Sequence, residues 1–349
     1  MKTWITQWGL VVVLVVGCST LPSTKTKQGK LVLLYQANRV GTLEPCGCKA
    51  KPYGGVEREF NAISKIQAEH ETLSVDAGNL FSADTTKAMA LVELVNHLGL
   101  EVFAPGPKDY SLGISVLREL EKAARFSFIS SNVFNKEGPV FQPYSVLIKD
   151  GIRVGVLSLT PMIHLDGAEV LPAKEVLPRF LAKLKSATDL IILLSQFPSR
   201  ENERLSAEFP EVHVIVGTDD ELAQPEPFWL NQGRALLLDG YSNGYRLGRL
   251  NLDLILPFRG FYSEVLQERK LHELSMWNKV LDNNANDVLA KSFRDRILES
   301  RAHERIDGAC WYSHEHIALD RTRYGKSNII SSLLDKNRRA IQKSALTSE

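Results

Sequence analysis

The chain has 349 residues, 44% hydrophobic and 24% charged, with 42 Lys plus Arg against 41 Asp plus Glu. This is ordinary globular composition, long enough for one large domain and an additional segment. A net charge of +1 supplies no basic face, which argues against broad nucleic-acid binding.

At the N-terminus Lys2 precedes an apolar run from Gly9 to Gly17, shorter than the ~20 residues that span a bilayer core. The run ends in Val15-Val16-Gly17-Cys18, which resembles a bacterial lipobox. The resemblance implies removal of residues 1–17, acylation of Cys18 on sulfur and nitrogen, and membrane attachment through those chains. Ser19 in place of an aspartate then implies the outer membrane, under enterobacterial sorting. Residues 18–30, mostly Ser, Thr, Pro, Lys and Gln, read as a polar tether.

From Leu31 onward, short apolar runs alternate with amphipathic segments. Strands are predicted at Leu31–Tyr35, Thr72–Asp76, Val102–Ala104 and Phe128–Ser130, with helices over Arg58–Ala68, Lys87–Leu98 and Ile114–Ala124 between them. Further strands follow at Arg153–Leu159, Asp189–Leu194, Val212–Val216, Ala235–Asp239 and Leu247–Leu254, with a helix over Lys174–Lys185. This alternation indicates an α/β layered fold. Closer strand spacing after Val140 adds an antiparallel part, so two packed mixed sheets flanked by helices are expected. Beyond Leu256-Pro257 the chain turns polar and helical. The main domain is therefore placed at 31–257 and a mainly helical appendage at 258–349, with Trp277 and Ile297 on an amphipathic face.

The order of several phrases resembles the 5′-nucleotidase branch of the calcineurin-like metallophosphoesterases, from about Leu31 to Leu256. They are Gly41-Thr42-Leu43-Glu44-Pro45, Gly54-Gly55-Val56-Glu57-Arg58, Val75-Asp76-Ala77-Gly78, Ser131-Asn132-Val133, Pro225-Glu226-Pro227 and Tyr245-Arg246-Leu247-Gly248-Arg249. The resemblance implies a four-layer α/β/β/α sandwich. It also implies two metal ions at the strand ends, which activate water and clamp phosphoryl oxygens.

The residues at the implied ligand positions are the wrong types. Asp-x-His after the first strand is replaced by Asn38-Arg39-Val40, and Asp-Ala-Gly-Asp by Asp76-Ala77-Gly78-Asn79. Gly-Asn-His-Glu becomes Gly106-Pro107-Lys108-Asp109, the histidine after the sixth strand becomes Gln196, and Gly-His-x-His becomes Gly217-Thr218-Asp219-Asp220. Lys108 and Arg39 add positive charge where dications would sit, and a transition-metal pair needs carboxylates and neutral imidazoles. The two cations read either as an anion-binding pair or as ordinary surface charges. His70, His97, His164 and His213 fall outside the ligand loops.

Cys46-Gly47-Cys48 follows Glu44-Pro45, and a subset of the same family carries Glu-Pro-Cys-Gly-Cys. Three readings stay open: a strained, redox-active Cys46–Cys48 disulfide, a structural bond from one of them to Cys310, or soft-metal ligation. Cys310-Trp311-Tyr312-Ser313-His314 resembles a haem-attachment segment whose second cysteine is Ser313, and some family members carry such a cytochrome segment. His314 alone would then ligate iron. Tyr324 stands where a distal histidine would be, and the tail from Arg321 to Lys343 is basic, suited to anionic headgroups.

The expectation is an envelope lipoprotein with a dismantled two-metal site, no cofactor and a binding or assembly role beside an envelope protein partner. The alternatives are a Mn- or Zn-dependent phosphoester hydrolase using Asp76, Asp109, Asp219 or Asp220, and a periplasmic redox protein.

Overall fold

A computed structural model describes residues 26–46, 52–218, 226–301, 304 and 307–347. Cys18, Cys48, Asp219 and Asp220 lie outside the described residues. Within them no helix is long and apolar enough to cross a membrane.

Alternating elements build the first half: β1 (Lys27–Gln36), α1 (Val56–Gln67), β2 (Thr72–Asp76), α2 (Thr85–Val95), β3 (Val102–Phe103), α3 (Pro107–Tyr110), α4 (Ile114–Ala123) and β4 (Ser127–Phe128). A small sheet follows from β5 (Val133–Asn135) and β6 (Gly138–Pro139), completed later by β9 (Glu169–Val170). Between them lie β7 (Tyr144–Lys149) and β8 (Ile152–Leu159). Then come α5 (Ala173–Ala187), β10 (Leu190–Ser195), α6 (Ser199–Glu208), β11 (Val214–Gly217), β12 (Phe228–Leu230), β13 (Ala235–Asp239) and β14 (Arg246–Leu256). The last part is β15 (Phe261–Tyr262), α7 (Glu264–Asn283), α8 (Val288–Ser300), β16 (Cys310–Ala318) and α9 (Asn328–Thr347).

The strands form a seven-stranded sheet ordered β15-β16-β14-β1-β2-β3-β4 and a six-stranded sheet ordered β12-β13-β11-β10-β8-β7. Strands β1 to β4 run parallel, as do β8, β10, β11 and β13; the six-stranded sheet ends in antiparallel edges, whereas the seven-stranded sheet has its antiparallel pairs inside, where β14 meets β1 and β16. The two sheets face each other across Leu33, Val75, Ile192, Val216 and Leu250, all at most 1% exposed. Helices α1, α2, α4 and α9 cover the outer side of the first sheet, and α5 and α6 that of the second. This is the expected four-layer sandwich. Near-continuous apolar runs such as Leu190–Leu194 are dictated by it, because a strand buried on both faces has no solvent side to make polar.

Two boundaries differ from expectation. Lys27–Lys30, assigned to the tether, already belongs to β1 and pairs with β14 from Lys27 opposite Leu256. The segment 258–349 is mostly helical, yet β16 pairs with β14 from Asp253–Trp311 to Arg246–Ala318, and α9 packs with Ile330 and Leu334 in the outer core. Alternation in Cys310–Ala318 is masked by two inward histidines, so polarity hides a strand.

Candidate functional site

The mouth forms where the C-terminal ends of both sheets meet, the general location of ligand crevices in α/β sheets. Backbone bonds join the ends directly. Ala37 N–H donates to Gly240 O (3.0 Å), Asn38 N–H to Gly78 O (2.8 Å) and Gly240 N–H to Gly217 O (3.0 Å). Three non-glycine residues here, Asn38, Val40 and Asn79, have left-handed backbone at φ 51°, 50° and 56°. For a β-branched valine that conformation is a steric outlier, of the kind that clusters at functional sites.

Side chains at the implied ligand positions bond one another. Asn38 Nδ2 donates to Thr218 O (2.7 Å), Asn79 Nδ2 to Asn38 Oδ1 (2.7 Å), and Lys108 N–H to Asn79 Oδ1 (2.9 Å). Gln196 Nε2 donates to Ala77 O and, at 3.4 Å, to Ala104 O, tying the second sheet's loop to the ends of β2 and β3. The chain of amides is continuous from Thr218 to Lys108. Val40 and Pro107 bring no donor atom to it, and the Lys108 side chain is exposed.

The two carboxylates beneath are fully enclosed. Asp109 Oδ2 accepts from Asn79 N–H and Gly106 N–H, and its Oδ1 from Phe81 N–H, each at 2.7 Å. Burial raises its pKa to about 7 despite those bonds. Asp76 Oδ1 accepts from Gly78 N–H (2.9 Å), and burial raises its pKa to about 8, with that bond and Arg39 pulling the other way.

Arg39 is neither a surface charge nor an anion-binding group. It is 1% exposed; its Nη2 donates to Gln36 Oε1 (2.6 Å) and pairs with Glu59, and its Nη1 donates to Thr42 O (3.3 Å). This pair lines a cavity of about 20 Å³ together with Asp76 and Tyr35. Sequence reasoning missed Glu59 and Gln36. The available signal was a glutamate at the inward position of α1 between Val56 and Ile63, a place that otherwise takes an apolar residue.

Of the three readings open for the cysteines, the structure bears on the bond to Cys310 only in that Cys46 and Cys310 are both free thiols; Cys48 lies outside the described residues. Cys46 is exposed beside Tyr53, whereas Cys310 sits in the sandwich interior, where burial raises its pKa. The segment resembling a haem attachment is strand β16. Cys310 and His314, four residues apart, stand about 13 Å apart along it. His314 Nε2 shares a 2.6 Å hydrogen bond with the buried Tyr35 hydroxyl, and Ser313 faces outward to Asn251. His70, His97 and His164 are exposed; His213 Nδ1 accepts from Ile191 N–H (2.9 Å), and burial lowers its pKa to about 4. Among the described residues no three His, Cys, Asp or Glu side chains cluster so as to hold a metal ion.

No family model matches the chain. An uncharacterized metallophosphoesterase of Bacillus subtilis, YunD, is 29% identical over 173 residues, covering 44% of this chain and 37% of that protein. A 5′-nucleotidase of Vibrio cholerae is 23% identical over 212 residues, covering 53% and 37%. The crystal structure of a 5′-nucleotidase precursor from Thermus thermophilus superposes with a TM-score of 0.66 at 19% identity, over 90% of this chain and 59% of that one. The fold is that of a calcineurin-like metallophosphoesterase. This metallophosphoesterase-like chain spans just over a third of the length of the two curated relatives.

Proposed function

We propose that this chain is a lipid-anchored envelope protein whose metallophosphoesterase-like domain has exchanged its two-metal centre for a hydrogen-bonded polar mouth, and that it binds or assembles rather than hydrolyses. The observation that carries this reading is the amide chain from Thr218 through Asn38 and Asn79 to Lys108 N–H. Two dications need carboxylate bridges and neutral imidazoles. Here each of the two asparagines turns an Nδ2 donor toward a protein acceptor, and the Lys108 ammonium stands at the rim. The remaining carboxylates do not fit the group either. Asp109 has both oxygens on backbone N–H groups, and Asp76 is enclosed with its Oδ1 on Gly78 N–H.

The membrane address rests on Cys18 and the preceding apolar run, and the partner is an envelope protein docking on the anchored body. At the rim of the mouth the exposed Lys108 ammonium is the charge presented to such a ligand.

The test is metal content by mass spectrometry on protein produced with Mn²⁺ and Zn²⁺, with iron counted in the same run, followed by 5′-AMP and bis-p-nitrophenyl phosphate hydrolysis. The expected result is under about a tenth of an equivalent of each metal and hydrolysis at the uncatalysed rate. One or two equivalents of Mn²⁺ or Zn²⁺ with turnover would establish the hydrolase instead.

A further inference from the structure

A second polar concavity lies away from the strand ends, between the β1–α1 connection, α1 and the C-terminal segment that enters α9. It is a cleft of about 690 Å³, within the range of small-molecule sites. Four cations line it, Arg58, Arg321, Lys326 and Arg338, against two carboxylates, Glu57 and Asp335.

The carboxylates are already engaged. Glu57 Oε1 accepts from Ser327 N–H (2.9 Å) and from the Ser331 hydroxyl, and Asp335 pairs with Arg338 (2.7 Å). Arg338 also pairs with Glu44 (2.7 Å). The other three cations form no ion pair with a described residue, although Asp320 and Glu57 lie close enough to Arg58 to act on its charge. Arg58 is buried and uses Nη1 on the carbonyls of Pro52 (2.6 Å), Leu319 (3.3 Å) and Gly54 (3.4 Å), while its Nε and Nη2 bond no described residue. Arg321 and Lys326 form no ion pair or side-chain hydrogen bond with a described residue. Burial lowers the Arg58 pKa; Asp320 and Glu57 oppose that shift, and Arg321 adds to it. Tyr324 opens its ring to the same cleft, and partial burial raises its pKa, which keeps its hydroxyl a neutral donor.

Four cations against two carboxylates that are already engaged leave the concavity a positive excess for a ligand. Guanidinium groups match phosphate oxygens bidentately, an ammonium supplies a further point charge, and a phenol adds a neutral donor. We propose that this cleft binds a phosphate group, held by Arg58, Arg321 and Lys326 with Tyr324 as a fourth donor. Two sources share that chemistry, a free phosphate or phosphomonoester and the headgroup of an anionic lipid. The site is separate from the strand-end mouth and stands or falls independently of the function proposed for it.

The test uses the full chain in neutral detergent micelles, titrated by calorimetry with inorganic phosphate and, separately, with micelles doped with phosphatidic acid. Saturable binding is expected in at least one arm. Arg321→Gln with Lys326→Gln should weaken it at least about tenfold, as loss of charge-assisted hydrogen bonds does. The charge-matched pair Lys183→Gln with Arg200→Gln, on exposed positions of α5 and α6, should leave it unchanged. Saturation by inorganic phosphate identifies a free ligand, and saturation by phosphatidic acid alone identifies a headgroup. Failure of both arms to saturate, or equal weakening by the two pairs, would overturn the proposal. Unchanged thermal midpoints in both variants show that binding, not folding, is being read.

Discussion

The strand-end mouth and the cleft beside α9 are both polar, and they differ in what their polar groups face. At the mouth, Asn38, Asn79, Gln196 and Asp109 bond to protein, and the buried Arg39 meets Glu59. In the cleft, Arg321 and Lys326 face solvent, and half of the Arg58 guanidinium has no described acceptor. The difference teaches that the crevice at the strand ends need not be the place where a fold leaves its charge open. Closing a crevice internally leaves structural energy in it, whereas unmatched charge leaves binding potential elsewhere. Mutations at the mouth should therefore be read in stability, and mutations in the cleft in affinity.

The largest effect is expected at Arg39. Arg39→Met strands Glu59 in a buried setting, and breaking such a pair costs ~3–5 kcal/mol. Urea denaturation of Arg39→Met, and of Arg39→Met with Glu59→Met, should show the double variant less damaged than the single. A double variant as unstable as the single would mean that the pair is not what the region depends on.

Asn79→Asp comes next. It deletes the Nδ2 donor to Asn38 and sets a carboxylate near Asp76 and Asp109, with an expected loss of ~1–3 kcal/mol at neutral pH. A thermal midpoint equal to wild type would show that the amide chain carries no strain-free closure. Millimolar Mn²⁺ should leave the wild-type midpoint where it is.

The buried carboxylates predict a pH dependence. Asp76 and Asp109 have folded pKa values raised from 3.8 to about 8 and about 7, chiefly by burial. Between pH 4 and those values the folded chain holds protons that the unfolded chain has lost. Stability therefore falls as pH rises through that window, by at most ~1.4 kcal/mol per pH unit for each group. Asp76→Asn removes its share and flattens the urea midpoint between pH 6 and 8; an unchanged slope there would assign the effect to other groups.

Val40→Asn should stabilise by about 1 kcal/mol, since asparagine tolerates left-handed backbone that valine does not. A loss instead would mean that the half-buried valine side chain packs more usefully than its backbone suggests. The smallest change is expected where the charges are unmatched: Arg321→Gln with Lys326→Gln should alter stability by no more than ~0.5 kcal/mol for each substitution, as exposed positions do. A larger loss would make the cleft a structural network like the mouth.

Legibility followed the same division. Leu190–Leu194 and Thr72–Asp76 are buried strands whose sequence has no solvent-facing partner pattern, so they were readable directly. The helix at Ile114–Ala123 showed its apolar stripe equally plainly. Strand β16 was not readable, because His314 and His316 occupy inward positions and become half-buried only against Tyr35 and Tyr241. Gly248 explains how that is possible: an added Cβ there would lie 2.2 Å from the Tyr35 ring, so the missing side chain makes room for the tyrosine.

By itself the sequence determined the α/β layering, the order of the framework phrases and the identity of each residue at the implied ligand positions, because periodicity and residue type are local properties. Only the tertiary structure decided that Arg39 is buried on Glu59, that the asparagines bond each other across two strand ends, and that residues near 58 and 321–326 share one cleft. Partners separated by 20 to more than 260 positions meet only when the sheets close, and neither charge nor spacing along the chain records which counter-charge, or none, will face them.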